Sequence, residues 1–176
     1  MSTKIDKPII RSQETPRQII SEDYKSLNGE LPLGGGWGYT KDDAVIIDKN
    51  DPVVPEGLPF DGVGIEYIFV EKRIYEELII FRLLGEPYAG IVWKQLEQNL
   101  ESHDGRHYDI LSYEVTAFSE SNWNELKDEW ESNNYFKDSS EGFQAHLEKR
   151  ESKMIGYKTE YWFDVTSFFG MNDDLT

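Results

Sequence analysis

Two carboxylates in matching settings are the first residues whose types suggest chemistry. Tyr113-Glu114-Val115-Thr116-Ala117-Phe118 and Phe163-Asp164-Val165-Thr166-Ser167-Phe168 share one pattern at a constant offset of 50 residues. No other segment repeats, so the echo reads as two strands of similar composition and not as a duplication. As strands they are in phase. Val115 and Val165 face the core, while Glu114, Thr116, Asp164 and Thr166 face away. Neighbouring strands would bring Glu114 and Asp164 together beside Trp162. Such a pair does general acid–base work when its surroundings split the two pKa values. Like charges directly opposite on a sheet destabilise it. With 34 acidic residues in the chain, such pairs also arise by chance. No catalytic residue is therefore assigned.

His103 and His107 stand four apart, the spacing of metal-binding histidines on a helix. Asp104-Gly105 breaks any helix there. Only a hairpin would bring the two rings together, with Asp104 or Asp109 as a third ligand, and the expectation is an exposed polar turn. His146 sits in a charged helical stretch and is expected to face solvent. No serine–histidine–acid signature accompanies any of the three. The cluster Gly34-Gly35-Gly36-Trp37-Gly38 lacks the lysine and the helix start of a phosphate cradle, and Asp42 and Asp43 follow at once. It is expected to form a tight turn around a buried Trp37. Asp48-Lys49-Asn50-Asp51 continues into Pro52, Val53 and, at the twelfth position, Pro59. It thus fails as a calcium loop and reads as an Asp-Pro turn. No metal and no cofactor is expected.

The elements that would position these residues follow from periodicity. Thr15-Pro16 marks a helix start and Asn28-Gly29 a stop, with Ile20, Tyr24 and Leu27 on one face. Residues 29–62 are rich in glycine and proline, interrupted by a short strand at 44–47. Val63, Ile65, Tyr67 and Phe69 alternate like a strand. Val70, Ile74, Leu78 and Phe81 also fit a helical stripe, but the isoleucine, tyrosine and phenylalanine content favours a hairpin turning at Glu71-Lys72-Arg73. Val92, Leu96 and Leu100 predict a helix over 91–101. Asp104-Gly105 predicts a turn, and 107–118 a strand with Leu111, Tyr113, Val115 and Ala117 on one face. Ser121 caps a predicted helix with Trp123, Leu126 and Trp130 along one stripe. A second helix, 141–154, groups Phe143, Leu147 and Met154, and a last strand spans 157–168. The sum is an α+β domain: a mainly antiparallel sheet with about three helices packed on one face and a glycine/proline-rich N-terminal third. Residues 1–28 form an arm with a short helix, 29–170 the domain, and 171–176 a frayed acidic tail.

Composition bounds the function. The chain has 176 residues, no cysteine, 34 acidic and 18 basic side chains, and a net charge of −16. A disulfide framework, thiolate metal sites and a cysteine nucleophile are excluded. The charge argues against direct binding of nucleic acid or of an anionic membrane. No apolar run is long enough to span a bilayer, and the first residues do not form a secretory signal, so a cytoplasmic location is expected. Five tryptophans, ten tyrosines and nine phenylalanines argue for a folded domain.

The reading drawn from these features is an acidic binding protein, not an enzyme. It would neutralise a basic macromolecular partner, as a toxin-immunity-type inhibitor or a nucleic-acid mimic does. The segment from Glu120 to Glu151 carries nine acidic and four basic residues, net −5. Within it Glu125, Asp128, Glu129 and Glu131 supply charge, and Tyr135 and Phe136 are the aromatic anchors. Glu125, Asp128 and Glu129 are expected to project into solvent, opposite the Trp123/Leu126/Trp130 stripe. The alternative is a small enzyme or ligand-binding domain with its pocket near the glycine-rich segment and the Glu114/Asp164 sheet face. A third is a structural subunit that buries its aromatics in a permanent interface.

Overall fold

The computed structural model describes residues 2–25, 30–82 and 85–170. Strands β1 (Thr3–Lys4), β2 (Leu33–Gly35), β3 (Val45–Ile47), β4 (Tyr88–His103), β5 (Arg106–Ser119) and β6 (Ile155–Asp164) form one sheet. Its order is β2-β3-β6-β5-β4, and β1 also pairs with β6. Four helices accompany it: α1 (Pro16–Asp23), α2 (Gly62–Tyr75), α3 (Glu120–Ser132) and α4 (Ser140–Lys153). The class is α+β. The sheet is mixed: β6 runs parallel to both β1 and β3, while β2 and β3 are antiparallel.

The start signals near the N-terminus act as expected. Thr15 Oγ1 accepts from the Gln18 amide and Gln18 Oε1 accepts from the Thr15 amide, at 3.2 and 3.0 Å, a reciprocal cap in front of Pro16. The helix ends at Asp23 with Tyr24 as its C-cap, earlier than the expected stop at Asn28-Gly29, so Tyr24 does not extend its face; Leu27, Asn28, Gly29 and the tail from 171 lie outside the described residues. The glycine cluster is not the single turn expected, because Gly34 and Gly35 pair in β2 and the chain bends only after Trp37, at 38–40. Gly35 and Gly38 have φ of +74° and +81°, and a Cβ on Gly35 would lie 2.1 Å from the Ala44 carbonyl oxygen. Trp37 is buried behind it.

Two segments depart from the sequence reading. Residues 62–75 are helical, with no hairpin at Glu71-Lys72-Arg73, and the helix continues as a π turn over Glu76–Ile80. The apparent alternation was misleading because Val63 and Tyr67 are half exposed. The buried stripe is Glu66, Phe69, Val70, Arg73 and Ile74, a helical spacing interrupted by two charged residues. Residues 91–101 belong to β4 and not to a helix. Val92, Leu96 and Leu100 stand four apart, and four is also an even number. The same spacing therefore marks one face of a strand, here an exposed one. Asp104 (φ +52°) and Gly105 (φ +79°) form the two-residue turn that joins β4 to β5.

The strands at 107–118 and 157–168 are neighbours as expected, although β6 ends at Asp164. Val115 and Val165 are both buried. Asp164 corrects its expectation. It does not face solvent but is 3% exposed, accepting from the Thr166 amide and hydroxyl and lying 3.3 Å from Arg106.

The chain partitions into two units. Residues 1–8, 76–95 and 113–159 form the first, which contains α3 and α4. Residues 9–75, 96–112 and 160–176 form the second, which contains α1, α2, β2 and β3. In the second unit Phe69 of α2 meets Trp37, Tyr161 and Phe163 at ring-centroid distances of 6.0, 6.5 and 5.7 Å. No helix among the described residues is long and apolar enough to cross a membrane.

Candidate functional site

The candidate binding residues lie on α3, on α4 and on the loop joining them. Ser119 caps α3 by accepting from the Asn122 amide, and Ser139 caps α4 by accepting from the Gly142 amide. The cap of α3 is thus Ser119, two residues earlier than the expected Ser121, whose hydroxyl and amide instead hold Glu86.

Of the stripe on α3, Leu126 is buried, whereas Trp123 and Trp130 are only half-buried. The expectation of three buried residues fails because the two indoles pack sideways. Trp123 lies against Phe118 at 5.3 Å, with Arg150 of α4 over the same two rings. Trp130 packs on His146, Phe136 and Phe143 at 5.3, 5.8 and 6.0 Å. Phe143 and Leu147 of α4 stay 40% and 38% exposed. The result is a mainly apolar groove of about 480 Å³ between the helices, walled by Trp123, Leu126, Trp130, Phe143, His146 and Leu147, with Lys127 and Arg150 also in its lining. Replacing Trp130 by alanine should lower stability by about 2 kcal/mol, below the cost of truncating a fully buried tryptophan. A thermal melt of W130A overlaying wild type would show that the ring does not hold α3 to α4.

The carboxylates divide into two groups. Glu125 is exposed, as expected, and Glu129 is half-buried, but both are paired. Both accept from Lys149 of α4 at 2.8 Å, and Glu129 also meets His146 Nδ1 at 3.1 Å. Lys149 holds both carboxyls below the usual glutamate range, with His146 assisting at Glu129, and is itself pushed up to about 12. His146 is buried, contrary to expectation, since two aromatic rings cover it. Asp128 and Glu131 are exposed, and so are Glu120, Asp138, Glu141, Glu148 and Glu151. Setting aside Glu125, Glu129 and Lys149 leaves seven acidic residues against Lys127, Lys137 and Arg150 in this segment, net −4.

The loop carries the least ordinary backbone among the described residues. Asn134, Tyr135 and Phe136 have φ of +52°, +59° and +53°. A left-handed step costs a non-glycine residue on the order of 1–2 kcal/mol, and bulky aromatics rarely take it. This conformation seats Phe136 against Trp130 and His146 and leaves Tyr135 47% exposed at 6.1 Å from Trp130.

The other candidates do not assemble. Glu114 lies beside Tyr157 and Lys158, while Asp164 is held by Thr166 and Arg106. His103 pairs with Glu101 at 3.0 Å. His107 bonds Ser102 at 2.8 Å and stacks on Phe169 at 3.7 Å. Asp51 accepts from Nη1 and Nη2 of Arg17, which holds its carboxyl below the ordinary range. Among the described residues no three histidine, aspartate or glutamate side chains converge as a metal site.

One constellation escaped the sequence. Glu66 of α2 is 2% exposed and shares a hydrogen bond with Asp109 of β5. Both oxygens of Asp109 accept from the Gln98 amide, at 3.0 and 2.8 Å. Burial, then the neighbouring carboxyl, pushes Glu66 up to about 9. Reading 63–69 as a strand had placed Glu66 on its polar side, so nothing signalled its burial.

The chain matches no family model, no curated protein and no solved structure.

Proposed function

We propose that the chain is a binding protein that docks the cationic, amphipathic surface of a protein partner on the α3–α4 face, as an inhibitor neutralising a basic partner would. The observation that carries this reading is the strained turn at Asn134–Phe136. It spends backbone energy to present Tyr135 at the end of an apolar groove, on a segment with net charge −5. Strain of this kind persists where the presented side chain is used. The groove supplies an apolar floor, and the exposed carboxylates Asp128, Glu131 and Glu148 select cations and speed encounter.

A helical peptide with leucine on one face and lysine on the other tests the reading, with Trp123 and Trp130 emission as the signal. Binding should be strong at low salt and weaken as the Debye length falls from about 10 to about 3 Å between 0.1 and 1 M. The variant D128N/E131Q/E148Q should bind at least about tenfold more weakly, about 1.4 kcal/mol. Y135G should melt at or above the wild-type temperature, because glycine relieves the left-handed strain, yet bind less well. Equal binding of a leucine/glutamate peptide, or no effect of either variant, would refute the proposal.

A further inference from the structure

The second unit holds a different cavity, of about 510 Å³, whose wall includes Phe60, Asp61, Glu66, Asp109, Phe168 and Phe169. Its size falls in the range that holds small organic ligands. Its chemistry is one-sided: three acidic side chains line it, and no lysine, arginine or histidine does. Two of the three are almost fully buried, Glu66 at 2% and Asp109 at 5% exposure. Asp109 is fixed by the Gln98 amide from β4. Glu66 Oε1 is buried without a hydrogen-bond partner, although it belongs to a side chain in the cavity wall. Native proteins leave few such atoms, and an orphaned acceptor at a cavity asks for a donor. The charged groups nearby are already engaged. Asp61 caps α2 by accepting from the Gly64 amide, Arg106 lies on Asp164, and His107 is stacked on Phe169.

We propose that this cavity is a binding site for a small organic ammonium ion with an apolar body, the ammonium donating to Glu66 and Asp109 and the body resting on the phenylalanine rings. An ammonium group has three donors and no acceptor, which matches an orphaned carboxyl oxygen beside a second carboxylate. The faces of Phe60, Phe168 and Phe169 attract cations as well as apolar groups. An anion would meet three acidic side chains and no counter-charge. The exchange balances: the cation enters, and the proton of the Glu66 carboxyl leaves to solvent. No covalent bond changes.

Phenethylammonium is the probe, with phenylpropionate and phenethyl alcohol as the anionic and neutral analogues of the same body. Calorimetry in two buffers of different ionisation enthalpy should show binding of the amine at one site, with release of close to one proton at pH 7. The Gln98 side-chain amide resonances should shift with the same saturation curve. E66Q keeps the shape and the hydrogen bond to Asp109 but has no proton to release. It should bind at least about tenfold more weakly and release none. D6N, which removes an exposed carboxylate elsewhere, should behave as wild type. Binding of the amine unaltered in E66Q, equal binding of the anion, or no saturation by the amine or by butylammonium in the millimolar range would each overturn the proposal. Should E66Q fail to fold, the wild-type proton count and the Gln98 resonances decide the question alone.

Discussion

Replacing Arg73 by alanine is expected to remove about 4 kcal/mol of stability, the largest loss from any single side chain in the second unit. Arg73 is fully buried. Its guanidinium lies 3.4 Å from the ring centre of Tyr161 and 4.2 Å from that of Tyr39. Nη1 donates to the Trp37 carbonyl at 3.0 Å and Nη2 to the Glu160 carbonyl at 2.9 Å. One planar cation thus ties α2 to the turn behind the glycine cluster and to β6. Truncation leaves a cavity between two tyrosines and strips two carbonyls of donors. A cavity of this kind costs about 2–5 kcal/mol, and each orphaned buried acceptor about 1–3. Lysine at this position keeps the charge but cannot fork to both carbonyls or stack as a plane. R73K should therefore lose roughly half as much. Urea unfolding with aromatic fluorescence measures both. An unfolding free energy for R73A within about 1 kcal/mol of wild type, at unchanged slope, would show that the stack contributes little.

The same residue explains why part of the fold was legible in the sequence and part was not. Strand β5 could be read because Leu111, Tyr113, Val115 and Ala117 alternate with polar residues and are all buried. Helix α1 could be read from its Thr15-Pro16 start, and α3 and α4 from their apolar stripes, although the cap of α3 is Ser119 and not Ser121. Helix α2 could not, because two of the five buried positions in its central stripe are Glu66 and Arg73. A periodicity rule counts charged residues as exposed, so the helical stripe of Val70, Ile74, Leu78 and Phe81 did not outweigh the alternation of Val63, Ile65, Tyr67 and Phe69 and the isoleucine, tyrosine and phenylalanine content. What buries Glu66 and Arg73 is tertiary: Asp109 for one, and two rings and two carbonyls for the other. The candidate face shows the same limit. The composition of 120–151 pointed to the acidic helices, and their apolar stripe was visible. The pairing of Lys149 with Glu125 and Glu129, the burial of His146 and the left-handed turn at 134–136 depend on how α3 and α4 meet, which spacing along one helix does not encode.

Glu66 should also give the protein a distinctive pH dependence. Its pKa in the folded chain is raised from the ordinary 4.5 to about 9, first by burial and then by Asp109. The folded state therefore keeps a proton that the unfolded state releases above pH 4.5. Where the native state binds more protons, stability falls as pH rises. The contribution of Glu66 is thus complete below about pH 4.5 and is lost progressively as the pH climbs towards 9. One retained proton corresponds to a slope of about 1.4 kcal/mol per pH unit. Glutamine at this position holds its proton-bearing nitrogen at every pH and donates to Asp109 as the protonated acid does. E66Q should consequently match wild type near pH 4.5 and surpass it increasingly between pH 5 and 9, the difference growing by up to that slope. Other carboxylates titrate alike in both proteins and cancel in the difference. Denaturant unfolding at pH 5, 7 and 8.5 provides the comparison. A constant difference across the three values would mean that Glu66 is ionised in the folded chain, and that the orphaned oxygen faces a counter-charge instead of a cavity without one.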